Sequence, residues 1–212
     1  ETGVKQDAED IQRLVKVARV QLRRKFINGD MGISGCNFAV AEMGAVSTVT
    51  NEGNARMVTT LPRVHVAIAG LDKLVPNLEV ALTALQVLPR NATAQRLTAY
   101  ATFMAGAGEC GACEDNKKVM HVVFLDNGRT EIARDPLFSQ IFRCVRCGAC
   151  ANVCPVFRLV GGHKMGYIYI GAIGLILTYF FHARTRPRCC ARTAWAANPA
   201  RTSAPAASTC PA

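Results

Sequence analysis

The amino-acid sequence predicts an α/β protein in three parts: a sheet domain over residues 1–135, a small cysteine-rich module over residues 136–181, and a disordered tail over residues 182–212. Three observations lead there. Up to Leu125, short β-branched runs alternate with stretches of helical spacing, the pattern of strands and helices stacked in layers. Four cysteines then fall within eleven residues, Cys144-Val-Arg-Cys147-Gly-Ala-Cys150-Ala-Asn-Val-Cys154-Pro155. Finally, no Val, Ile or Leu follows Leu177, so the end of the chain has nothing with which to build a core.

Taken in order, residues 5–26 place Ile11, Leu14, Val15, Ala18, Leu22 and Phe26 at helical spacing. Asp7, Glu9 and Asp10 open that helix and Arg23, Arg24 and Lys25 close it, each sign at the end the helix dipole favours. Asn28-Gly29-Asp30 stops it, and Met31 to Asn37, with Gly32, Ser34, Gly35 and Cys36, reads as a tight loop feeding an apolar strand. Gly32 and Gly35 do not bracket Ser34 as a nucleophile elbow requires. Cys36 therefore reads as a small buried hydrophobe. Ala45–Thr50 and Ala55–Thr60 read as a hairpin about the Asn51-Glu52-Gly53-Asn54 turn, and Val64–Ala69 as a buried strand holding His65, a structural histidine. Residues 77–88 are helical, Thr93–Leu97 begin another helix, and Tyr100–Met104 and Val119–Leu125 are strands, the second closed by the turn Asp126-Asn127-Gly128. Gly106-Ala-Gly108-Glu-Cys110-Gly111 fits a dinucleotide-binding pattern, but the next strand leaves no room for the helix that must receive the pyrophosphate. Its Cys110-Gly-Ala-Cys113 is a redox pair, half a metal site, or a pair of incidental thiols on an insertion.

Charge narrows the function. The net charge is +10, yet no Asp or Glu follows Asp135, and nine basic residues from Arg143 to Arg201 supply nearly all of the excess. The sheet domain is close to neutral. The basic tail lacks interleaved aromatics, which excludes single-strand nucleic-acid binding, and no export signal opens the chain. A sequence starting at Glu1 suggests a beginning inside a longer protein.

The cysteine run carries the chemistry. C-x2-C-x2-C-x3-C-P is the spacing that bacterial-type ferredoxins use for [4Fe–4S] clusters. Cys144, Cys147 and Cys150 can wrap one loop about three corners of a cubane, Gly148 relieves crowding against the inorganic sulfurs, and Pro155 turns the chain away. Cys154 belongs to a second cluster in proteins that hold two. Arg143 and Arg146 can offset the negative charge of the cluster. A zinc knot and a disulfide knot are the competing readings; zinc sites usually come as separated C-x2-C pairs, and disulfides need an oxidising compartment. Pro136–Phe142 reads as a short helix delivering Arg143 and Cys144. The uncharged run Met165–Phe181 is 17 residues long, at the lower edge of a membrane span, and Arg184, Arg186 and Arg188 follow it. Its glycines at 166, 171 and 174 suit close packing beside a cluster equally well.

Together, Gly29–Ala39, Asn51–Met57, Asp126–Arg129, the cysteine run and Gly161-Gly162-His163 resemble the lactate-utilisation iron–sulfur protein family, which joins a LUD domain to a ferredoxin-type domain. The resemblance covers about residues 1–178. It implies a sheet core like that of ribose-5-phosphate isomerase and the CoA transferases, of which the C-terminal part is present. It also implies a cytoplasmic subunit that passes electrons through two [4Fe–4S] clusters within a complex oxidising L-lactate to pyruvate. The family's second cysteine run is replaced here by Cys189-Cys190 and Cys210-Pro211, the mark of a frame-shifted or truncated end, so one cluster is expected and the second is doubtful. Two further readings stand: a CoA-transferase-like domain binding a small carboxylate or nucleotide through the amides of the Gly32–Asn37 loop and the Asn51–Arg56 turn and through Arg56, and a membrane-anchored ferredoxin module.

Overall fold

The structure is a computed structural model, and it describes residues 10–109, 117–162 and 170–182. The chain divides into two compact units, one of residues 1–83 and 98–126, the other of residues 84–97 and 127–212.

The first unit is α/β, as expected, but with two sheets. Strands β1 (Met31–Gly35), β4 (Val64–Gly70) and β7 (Val119–Leu125) form a parallel sheet in the order β1-β4-β7. Strands β2 (Phe38–Val40), β3 (Ala45–Thr50), β5 (Leu74–Val75) and β6 (Tyr100–Met104) form a mixed sheet in the order β5-β2-β3-β6. Ala39, Val46 and Ala67 meet between them, flanked by Cys36, Met104 and Met120. The register puts His65, Ala67 and Ala69 of the central strand on this inner face, and all three are buried. Alanines there let the layers approach closely. The other face of the parallel sheet is open: Met31, Ile33, Ile68, Val123 and Leu125 are exposed, although parallel sheets are ordinarily covered on both sides. Helix α1 (Ile11–Ile27), capped by Asp10 accepting from the Arg13 amide at 3.0 Å, buries no residue.

Four expectations of local structure are corrected. Residues 31–35 are a strand and not a loop, because Gly32 lets helix α2 (Asn54–Thr60) cross β1: a Cβ at 32 would lie 2.1 Å from the Val58 carbonyl oxygen. The hairpin about Gly53 does not form. Gly53, left-handed at φ 81°, starts α2, and β3 pairs with β2 and β6. The β-branched run Val58-Thr59-Thr60 suggested a strand, but both threonines bond back to the Arg56 carbonyl within the helix. Helix α3 (Leu78–Thr93) runs through Pro89 to Thr93, so no new helix begins there. The short helix expected over Pro136–Phe142 is shifted and tighter: Asp135 accepts the amides of Leu137 and Phe138, and a 3-10 helix follows over Ser139–Arg143, delivering Cys144.

The second unit is built from short pieces. Helix α4 (Arg129–Arg134) starts at left-handed Gly128, confirming the Asp126-Asn127-Gly128 turn; α5 (Ala149–Asn152) and α6 (Pro155–Val160) flank Cys154, and α7 spans Gly171–His182. Its core is Ile132, Ile173 and Leu177, surrounded by Phe138, Ile141, Phe142, Cys144, Phe180 and Phe181. The apolar run thus yields a helix of 12 residues, and among the described residues no helix is long and apolar enough to cross a membrane. Cys110 to Cys113, the glycine-histidine end of the Gly161–His163 motif, and the expected tail lie wholly or partly outside the described residues.

Candidate iron–sulfur site

The local structure of the cysteine run follows from three conformational switches. The 3-10 turn ends with the Cys144 amide donating to Ile141 at 3.1 Å, which breaks the helix and sets Cys144 in extended backbone against the apolar core. Arg146 (φ 57°) and Gly148 (φ 82°) are left-handed on either side of Cys147, so the chain doubles back twice within three residues. That conformation costs a non-glycine residue about 1–2 kcal/mol, and Gly148 makes its turn without the penalty. Gly148 then opens α5, which carries Cys150, and Cys154 caps α6 ahead of Pro155.

Cys144, Cys147 and Cys154 are half-buried, Cys150 is exposed, and all four are free thiols. None of the four is joined in a disulfide in this structure. Among the described residues no three His, Cys, Asp or Glu side chains converge on one ion, as a mononuclear zinc site would require. A cubane is a different target, because it offers a separate iron to each thiolate. The residues present fit that larger group. The donor set is all thiol, a Cβ on Gly148 would meet nothing within 4 Å, and the sulfur of Cys150 lies against Gly171 at the start of α7, where an added Cβ would stand 3.0 Å from it. Arg143 and Arg146 are both exposed, so their charges reach the run through solvent.

The residues proposed for small-ligand binding in the first unit are engaged elsewhere. The Asn37 side-chain oxygen accepts from the Val49 amide at 3.0 Å, and the Arg56 guanidinium lies over the Tyr100 ring at 5.1 Å. The Cys36 thiol donates to the Phe38 carbonyl at 2.8 Å. Burial pushes its pKa up, with the Ser47 backbone, Lys73 and the Phe38 backbone pulling the other way, so it stays a thiol. A contact not visible in the sequence joins Ser34 and His65, Oγ to Nε2 at 2.8 Å across 31 residues. Burial, then the nearby Lys118, holds the His65 imidazole neutral, and the Lys118 ammonium itself donates to the Thr59 carbonyl. The parallel register could not be read from spacing, and without it these two residues have no reason to meet.

A layered sheet unit and a ferredoxin-type cysteine loop together define an iron–sulfur protein with an α/β domain ahead of its cluster module. The chain belongs to the LUD domain family, whose model matches residues 2–125, and the model of a 4Fe-4S dicluster domain matches residues 140–200. Among curated relatives, it is 48% identical over 171 residues to lactate utilization protein B of Shouchella clausii, covering 81% of this chain and 36% of that one. It is 45% identical over 173 residues to the protein of the same name from Bacillus subtilis, covering 82% and 36%. An Escherichia coli protein named uncharacterized electron transport protein YkgF is 45% identical over 160 residues, covering 76% and 33%. The chain thus spans about a third of the length of the curated relatives it matches. A solved DUF162 family protein from Deinococcus radiodurans superposes with a TM-score of 0.36 at 16% identity, over 48% of this chain and 56% of that one.

Proposed function

We propose that this chain carries electrons through a [4Fe–4S] cluster held by Cys144, Cys147 and Cys150, as part of a complex that oxidises L-lactate to pyruvate. The observation that carries the reading is the C-x2-C-x2-C-x3-C-P run, with left-handed residues on either side of Cys147, inside a segment matched by a 4Fe-4S domain model. A bound cubane supplies reversible one-electron transfer through a change of iron valence. The chain's own residues hold and tune it. Cys144 anchors one corner to the Ile132, Ile173 and Leu177 core, whose aromatic rim of Phe138 and Phe142 keeps water from that side. Gly148 keeps its approach open, and Arg143 and Arg146 supply screened positive charge. Cys154 would serve a second cluster only where cysteines outside the described residues or from another chain complete that cluster's ligands. The names of the relatives support the lactate role, and its partners are the other subunits of that complex. A reducing compartment such as the cytoplasm goes with this reading, because the run needs its thiols free.

Anaerobic purification with iron and sulfide analysis tests the cluster: about four irons per chain and an absorbance bleached by dithionite are expected, and fewer than about three irons would overturn an intact cubane. The lactate role has its own test. With the complex assembled, L-lactate should bleach the same absorbance, and a cluster that dithionite reduces but L-lactate does not would remove the substrate assignment alone.

A further inference from the structure

We propose that Gly171 is a positioning residue for the cluster, seating the first turn of α7 against the sulfur of Cys150. The inference rests on the ligand reading above and extends it to a residue 21 positions beyond Cys150. Two observations require glycine there. Its φ of 78° is left-handed, and a Cβ built on it would stand 3.0 Å from the Cys150 sulfur, closer than a methyl group and a sulfur pack at rest. Gly128 has a similar φ of 77° and nothing within 4 Å of its added Cβ, so the fold contains a position with the left-handed demand but not the sulfur.

The contact brings a helix start to a ligand. The first amides of a helix have no partner within it, and they carry the positive end of its dipole. α7 is also the helix whose Ile173 and Leu177 form the core against which Cys144 packs. One helix therefore borders two of the three proposed ligands. With partial positive charge held at the sulfur, the form of the cluster with one more electron is stabilised, which raises the reduction potential. Backing the start of α7 away by one methyl group weakens that effect while leaving every cysteine in place.

The experiment compares wild type, Gly171→Ala and Gly128→Ala, each purified anaerobically as the full chain, for iron and sulfide content and for midpoint potential by EPR-monitored titration. Gly171→Ala should lose iron or shift its potential negative relative to both other proteins. Equal behaviour of the two variants would overturn the role of Gly171 and leave the cluster reading intact. A wild type without iron would instead overturn the cluster reading. If Gly171→Ala does not fold, judged by circular dichroism, Gly171→Asn replaces it, since asparagine tolerates the left-handed backbone and still sets a Cβ against the sulfur. A wild-type potential and iron content in Gly171→Asn would also sink the proposal.

Discussion

The two units of this chain are held together by different means. In the first, ladders join strands distant in sequence: Val64 to Val119 and Thr50 to Tyr100 are paired residues. In the second, short helices gather around a cluster of buried apolar side chains, Ile132, Ile173 and Leu177, with turns and caps between them. Where a metal group ties a small module together, its binding becomes folding free energy. The sheet unit is expected to stand without a cofactor, and the cysteine module to depend on one.

The largest effect should come from removing a ligand. Cys147→Ser should abolish bound iron and open the second unit to hydrogen exchange, while amides of β4 and β7 keep their protection; loss of protection in both units together would erase the distinction drawn here. Gly32→Ala strikes the sheet unit alone. Its Cβ would press on the Val58 carbonyl, so denaturant unfolding should show a loss of about 3 kcal/mol with iron content unchanged. Ser34→Ala leaves the buried His65 ring nitrogen without its partner and should cost about 1–3 kcal/mol. The same histidine sets a pH dependence. Its folded pKa lies below the unfolded value, so the unfolded chain binds more protons as the pH falls below about 6.5. Stability of the sheet unit should fall across that range and be flat above it, and His65→Gln should flatten the acid side. The smallest effect belongs to Arg56→Ala, which removes the stack on Tyr100 and should cost about 0.5–1 kcal/mol with no change in iron.

Element by element, the sequence made strands legible where β-branched or aromatic residues run between turn signals, as in β3, β4, β6 and β7. It failed where a glycine served packing. Gly32 looked like loop punctuation because its reason, the passage of α2 over β1, exists only in three dimensions. Gly53 looked like a hairpin tip because a left-handed residue begins either a turn or a helix, and the residues after it decide. The cysteine run was legible as a motif, since its four cysteines, its glycine and its proline lie within twelve residues. Gly171 could be flagged only as one of three glycines fit for close packing. Its contact with Cys150 depends on how α7 returns to α5, and no local pattern encodes that return.

Cys154 has one further consequence. Its carbonyl accepts the Arg158 amide at 3.0 Å and its extended backbone (φ −74°, ψ 119°) caps α6, while its side chain makes no capping bond. Serine is among the preferred residues for such a cap. A Cys154→Ser chain would thus keep, or improve, the helix start while deleting only the sulfur. Position 154 is a clean genetic handle: whatever that chain loses in iron belongs to the thiol and to nothing else.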